Sequence, residues 1–338
     1  MPVPALYSEP CSERRGAFVQ PLLDSNQHGV DGAHLWNVIR YYVPYRKKKE
    51  MKLKRRNVLI GITSFLAVLF TMPLGHALMI VMERLMDPVT MHYAAFSMGA
   101  AGLVMAIVGV FANGDTRQTL WGLFGGLLFW TGWIEFIYVY YAQRFGVQPL
   151  IVDGEVVTKP EYLIMPSSFG FWVMFMVLYM FNIKSGCDFF NYLQRVFFRN
   201  SKVRVAMRPM TRHTSLVTFM ELNLILWTNY MVLLFCYDDN FIGDRHPITA
   251  LLAFGCLVGS LFMFRRLINI SQWGYALRFS IATVVVFWTF VEVMGRWNTF
   301  HEIWVEPMAY KSEMITILIA FIALTAFLWY KSVRSKKE

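Results

Sequence analysis

Apolar residues along most of this chain run unbroken for about twenty positions, the length that carries a helix across ~30 Å of hydrocarbon. Such runs lie near 57–82, 94–112, 118–141, 163–183, 214–236, 248–267, 276–296 and 312–331, and predict eight spanning helices. The predicted fold class is an all-α polytopic membrane bundle. Its expected segments are a basic amphipathic stretch 1–56, a four-helix unit 57–183, a basic amphipathic linker 184–213, a second four-helix unit 214–331 and a basic tail 332–338.

Composition agrees with lipid as the solvent. Of the 338 residues, 56% are hydrophobic and only 16% charged, too few to cover a water-soluble surface. The net charge of +10 divides by side. Lysine and arginine collect in Arg46–Arg56, in Lys184–Arg212 and in Lys331–Lys337, which eight spans place on one face together with Arg265 and Arg266. The positive-inside rule makes that face, and both termini, cytoplasmic in a cell inner membrane. The opposite connections hold Glu83, Asp87, Asp153, Glu155, Glu161, Asp238, Asp239, Asp244, Glu302, Glu306 and Glu313 against Arg84, Arg144, Lys159, Arg245, Arg296 and Lys311, so that face is acidic. The first 45 residues lack an apolar core segment, so no cleavable signal is expected.

The chain also matches itself. Phe129-Trp130-Thr131 with Glu135 and Pro149 reappears as Phe287-Trp288-Thr289 with Glu292 and Pro307, the triplet and proline both displaced by 158 residues. Asp87-Pro88 corresponds to His246-Pro247. Two parallel four-helix repeats are expected, related by an axis along the membrane normal; recurrent interfacial tryptophan and proline are the competing explanation. Glycines at 99, 102, 122, 125, 126, 255 and 259 supply small surfaces for close helix packing.

Ionisable groups in hydrocarbon are costly and mark sites or pathways. Followed inward from each side, His76, Glu83, Glu135, Glu292 and Asn229 fall at one depth towards the acidic face, with Glu221 on the cytoplasmic side. Glu135, Glu292, Asn229 and Glu221 are the candidate substrate or ion path. In the first span Met72, His76, Met79, Glu83 and Met86 share one helical face. Thioether, imidazole and carboxylate on one line suit copper or another transition metal, although methionine also serves as ordinary apolar filling. Asp238, His246, His301 and Glu302 form a candidate outer-loop site for a divalent cation or for proton transfer.

Several chemistries lose support. His76 is the sole intramembrane histidine, so bis-histidine haem ligation is disfavoured. No Glu-x-x-His, phosphate loop, Gly-x-Ser-x-Gly elbow or dinucleotide fingerprint occurs. The charge pattern argues against nucleic acid as a partner. Expected partners are the bilayer, anionic lipid at the basic amphipathic segments Leu35–Val43 and Phe189–Lys202, and other membrane subunits. The leading expectation is a subunit or accessory factor of a membrane assembly. A transporter of a small solute, proton or transition metal comes second. An outer-leaflet enzyme acting on lipid or quinone, with tryptophans 130, 133, 288, 297 and 304 lining an apolar cleft, comes third.

Overall fold

A computed structural model of the protein describes residues 32–152, 155–181 and 213–334. The Phe189–Lys202 segment therefore lies outside the described residues, as does most of the expected linker. Contacts divide the chain into Met1–Arg55 and Arg56–Glu338. The helix α1 (Gly32–Leu69) carries the first apolar run. After Phe70 the chain continues as α2 (Thr71–Leu85). Pro73 explains the break, because it has no amide to donate to the Leu69 carbonyl one turn back.

The remaining elements are α3 (Pro88–Val110), α4 (Asp115–Phe129), a π-helical segment (Trp130–Glu135), α5 (Phe136–Arg144), the hairpin strands β1 (Leu150–Val152) and β2 (Glu155–Thr158), α6 (Pro160–Ile164), a 3-10 turn (Met165–Ser168), α7 (Phe169–Phe181), α8 (Thr214–Tyr237), α9 (Pro247–Leu267), α10 (Trp273–Arg296) and α11 (Lys311–Arg334). The strands pair antiparallel.

Among the described residues seven helices are long and apolar enough to cross a membrane: Met51–Leu85, Pro88–Val110, Asp115–Arg144, Thr214–Tyr237, Pro247–Leu267, Trp273–Arg296 and Lys311–Ser332. The chain is thus a multi-pass membrane protein in contact with lipid. The expected fourth span differs from a single helix. Pro166 lies in the 3-10 turn that separates α6 from α7, and α7 is described for 13 residues.

The second span and α9 begin in the same way. Asp87 accepts the Thr90 amide at 3.0 Å and is followed by Pro88 at the first helical position. His246 accepts the Ile248 amide on Nδ1 at 3.2 Å and is followed by Pro247. A side-chain cap satisfies an orphan amide, and proline costs nothing where no amide bond was available.

The central core is drawn from the first span, α4, α8 and α10, through Val68, Met72, Leu123, Leu226, Ile281 and Val285. Sixty-one per cent of the α10 apolar window is buried, against 11% for α11, so α10 is central and α11 peripheral. Helix α3 packs on α4, and α9 packs on α10. Gly102 and Gly125 permit the first approach, since a Cβ on Gly102 would stand 2.6 Å from the Gly125 carbonyl oxygen. Gly255 and Gly259 differ from the expected role: nothing lies within 4 Å of a Cβ on either, so they serve no close packing within the chain.

Contacts also cross between the halves of the chain. Helix α8 packs on α3 and α4, and the Ser215 hydroxyl donates to the Ala106 carbonyl at 2.7 Å. Reciprocally, Ile60 of the first span is buried with Leu267, Ala276 and Phe279, and Asn57 Nδ2 donates to the Asn269 carbonyl at 3.3 Å. Helix α7 touches α8, and α11 touches α2.

Candidate functional site

The π-helical segment sits in the third span where Glu135 emerges. A π turn accommodates one residue more than an α turn. Trp130 and Glu135 are five residues apart, whereas Trp288 and Glu292, on the continuous α10, are four apart. The extra residue is taken up by the wider turn, so each carboxylate lies one turn beyond its tryptophan.

His76 is fixed from both sides of its ring. Nδ1 lies 3.0 Å from the Met72 carbonyl, and Nε2 lies 3.6 Å from Glu292 Oε1. A carbonyl only accepts, so Nδ1 carries a hydrogen. In the neutral tautomer Nε2 then presents a lone pair to Glu292, and a carboxylate opposite a lone pair is repelled. The pair is therefore attractive when a proton resides on Nε2 or on Glu292. Trp288 Nε1 donates to the same Glu292 oxygen at 2.6 Å. The other carboxylates that act on His76 are Glu135 and Glu302.

Glu302 reaches this group from the connection between α10 and α11. It accepts from Trp304 Nε1 at 3.1 Å, and the Trp304 ring lies 4.9 Å from that of Trp288. Burial, followed by the Glu292 charge, pushes the Glu302 carboxyl above its ordinary range.

Glu135 is buried at 9% exposure on the other side of the site. Trp130 stacks on Tyr230 at 5.4 Å, and Tyr230 on Tyr162 at 5.8 Å. Both phenols lie within electrostatic reach of Glu135. Besides His76, the charges nearest in effect to Glu135 are Lys159, Glu161 and Glu83. All three line a cavity of about 400 Å³ on the acidic face, together with Met86, Met91 and Gln143. Burial, with Glu83 as a further contributor, raises the Glu161 carboxyl above its usual range.

The remaining candidates are distributed differently. Asn229 Oδ1 accepts from the Thr289 hydroxyl at 2.6 Å, joining α8 to the second Phe-Trp-Thr triplet. Glu221, only 2% exposed, lies in the part of α8 nearer its start and away from this group. Met72 and Met79 are buried in two separate apolar clusters, the second containing Met82 and Met91. Glu83 is exposed and lines the cavity. Among the described residues no three His, Cys, Asp or Glu side chains are grouped as a metal ion would require.

The four outer-loop candidates do not form one group. Asp238 accepts the Asn240 amide at 2.8 Å within its own turn, His246 caps α9, His301 is exposed and Glu302 turns into the bundle.

Sequence reasoning missed Tyr162 and Tyr230, whose signal was an aromatic hydroxyl at the depth of the carboxylates. It also missed two polar ties. At the acidic face Arg296 reaches Thr158 at 3.3 Å and Asp244 at 3.7 Å, with its guanidinium 4.6 Å above the Tyr237 ring. At the basic face Arg278 donates to Asp115 at 2.9 Å and to Thr119 at 2.7 Å. The Thr214 hydroxyl also donates to Asp115. Comparison with protein-family models, with curated proteins and with solved structures finds no match to this chain.

Proposed function

We propose that this protein handles a small cationic solute, or the proton itself, at the His76–Glu135–Glu292 site, which it loads from the acidic face. One observation carries the reading: three carboxylates, Glu135, Glu292 and Glu302, act on a single imidazole in an apolar interior. His76 with Lys159, which acts on Glu135, still falls short of three carboxylates, and the remainder calls for protons or a cation. The rings of Trp288 and Trp304 suit an organic ammonium group, which is attracted by aromatic quadrupoles. The accessory-subunit reading draws on no feature of this site. The scattered methionines give a transition metal little support.

Duplication supports the same reading. We take residues 57–183 and 214–331 as two parallel four-helix units, eight spans in all, with the basic face cytoplasmic as charge asymmetry implies. The capping of α3 and α9, the exchanged contacts of the first span and α8, and the π turn that absorbs the one-residue mismatch all fit this arrangement. The first helix of each unit then meets the tryptophan–glutamate turn of the other. One brings His76 to Trp288 and Glu292, and the other brings Tyr230 to Trp130.

The test uses purified full-length protein and its tryptophan fluorescence. Titration with tetramethylammonium should give a saturable change, weakened at least tenfold in both Glu292→Gln and Glu135→Gln, about 1.4 kcal/mol or more of binding free energy. Proton release on saturation, read with a pH indicator, identifies the proton as the competing occupant. A response equal in wild type and both variants overturns the proposal.

A further inference from the structure

A second, apolar recess lies at the opposite end of the bundle, between α4 and α11. It has a volume of about 580 Å³ and is lined by Phe124, Phe321, Thr325, Ala326, Trp329 and Tyr330, among others. Its position follows from helix direction. Helix α4 starts at the basic face, where Asp115 meets Arg278 near the start of α10, and α11 ends there. The recess therefore runs from the basic interface into the hydrocarbon. From Arg117 to Phe124 is seven residues, about 10 Å of helix.

A cation stands at its mouth. The Arg117 guanidinium lies 5.9 Å from the centroid of the Trp329 ring, and the Arg117 Nε is buried with no hydrogen-bond partner. No ion pair to Arg117 occurs among the described residues. A buried, unpaired guanidinium nitrogen is costly, and arginine forms paired hydrogen bonds to phosphate. Lys331, one residue beyond the lining residue Tyr330, holds its ammonium 5.5 Å from the Phe327 ring and adds positive charge at the same level.

We infer that this groove is a binding site for an anionic phospholipid of the basic-face leaflet, with its phosphate at Arg117 and one acyl chain along Trp329, Thr325 and Phe321 to Phe124. Charge complementarity selects the anionic headgroup. The position of the groove within the spanning part of the bundle selects a chain that is already dissolved in the membrane. A soluble phosphate would leave the apolar recess unfilled.

The experiment is native mass spectrometry and thermal melting of the full-length protein in mild detergent, with phosphatidylglycerol, phosphatidylcholine or inorganic phosphate added. Phosphatidylglycerol should be retained about fivefold more strongly than phosphatidylcholine and should raise the melting temperature, whereas inorganic phosphate should do neither. Arg117→Gln should remove the preference while leaving phosphatidylcholine retention unchanged. Ala326→Trp should fill the groove and lower retention of both lipids. Equal retention of the two lipids by the wild type overturns the assignment, as does a preference that survives Arg117→Gln. Occupation of the groove by a second copy, seen as a dimer that excludes lipid, also overturns it.

Discussion

The two ends of the bundle treat charge in opposite ways. At the basic end Arg278 lies against one carboxylate, Asp115, with Thr119 and Thr214 satisfying further bonds. At the acidic end His76 lies 3.6 Å from Glu292 with Glu135 and Glu302 in electrostatic reach, and Trp288 and Trp304 provide two donors. The first arrangement pairs one cation with one carboxylate and ties α4 to α8 and α10. The second gathers more carboxylates than cations, even with Lys159 acting on Glu135, and on the proposed function another positive charge would complete it. Both are polar groups among apolar helices, so polarity alone does not distinguish a tie from a site; the charge balance does.

Substitutions should separate the ends, beginning with the largest effect. Arg278→Ala removes the cation paired with Asp115 and bonded to Thr119, leaving the Asp115 carboxylate with Thr214, and should lower stability by about 2 kcal/mol, discounted because Asp115 is partly solvated. Thermal melting in detergent measures it, and a melting temperature equal to wild type would make that end as dispensable as a surface pair. Glu135→Gln and Glu292→Gln should act in the opposite sense without ligand, raising stability by up to ~1 kcal/mol while the tetramethylammonium response is lost. A loss of stability in both would mean that the carboxylates are ties as well.

The smallest effect is that of pH. The Glu302 and Glu161 carboxyls are raised in the folded protein, chiefly by burial, so the folded state binds their protons more tightly than the unfolded chain does. Their destabilising contribution is complete above the raised folded values and disappears as pH falls towards the ordinary glutamate range. Melting temperature should therefore rise modestly on acidification from neutral pH towards pH ~5. Glu302→Gln should flatten that rise, and an unchanged slope in this variant would assign the effect to other groups.

Much of this contrast is written in the sequence. Length and apolarity define the seven long spans, and following each span from its basic or acidic end places His76, Glu135 and Glu292 at one level. What stays hidden depends on which helix neighbours which. The pairing of His76 with Glu292 requires the first span to pack against α10, and no local pattern specifies that. The methionine stripe shows the converse problem. Residues spaced by three and four do share a face, but Met72 and Met79 are two turns apart, about 10 Å, and each enters a different cluster. Sequence alone assigns Glu302 to an outer loop, because it does not show that this connection carries Trp304 onto Trp288. The spacings Trp130 to Glu135 and Trp288 to Glu292 are legible in the sequence, whereas the π turn over the first of them is not.

The apolar packing beneath His76, from Val68 and Leu226 through Ile281 and Val285, has an electrical meaning. A closed apolar layer conducts ions poorly, so a transmembrane voltage would fall chiefly across such side chains. On the proposed function, a cation at Glu292 would lie on the acidic-face side of this layer. Carrying it through the packed layer would exchange about 2.3 kcal/mol with the membrane per charge at 100 mV, which makes that layer the place where any transport cycle of this protein would meet the membrane's stored energy.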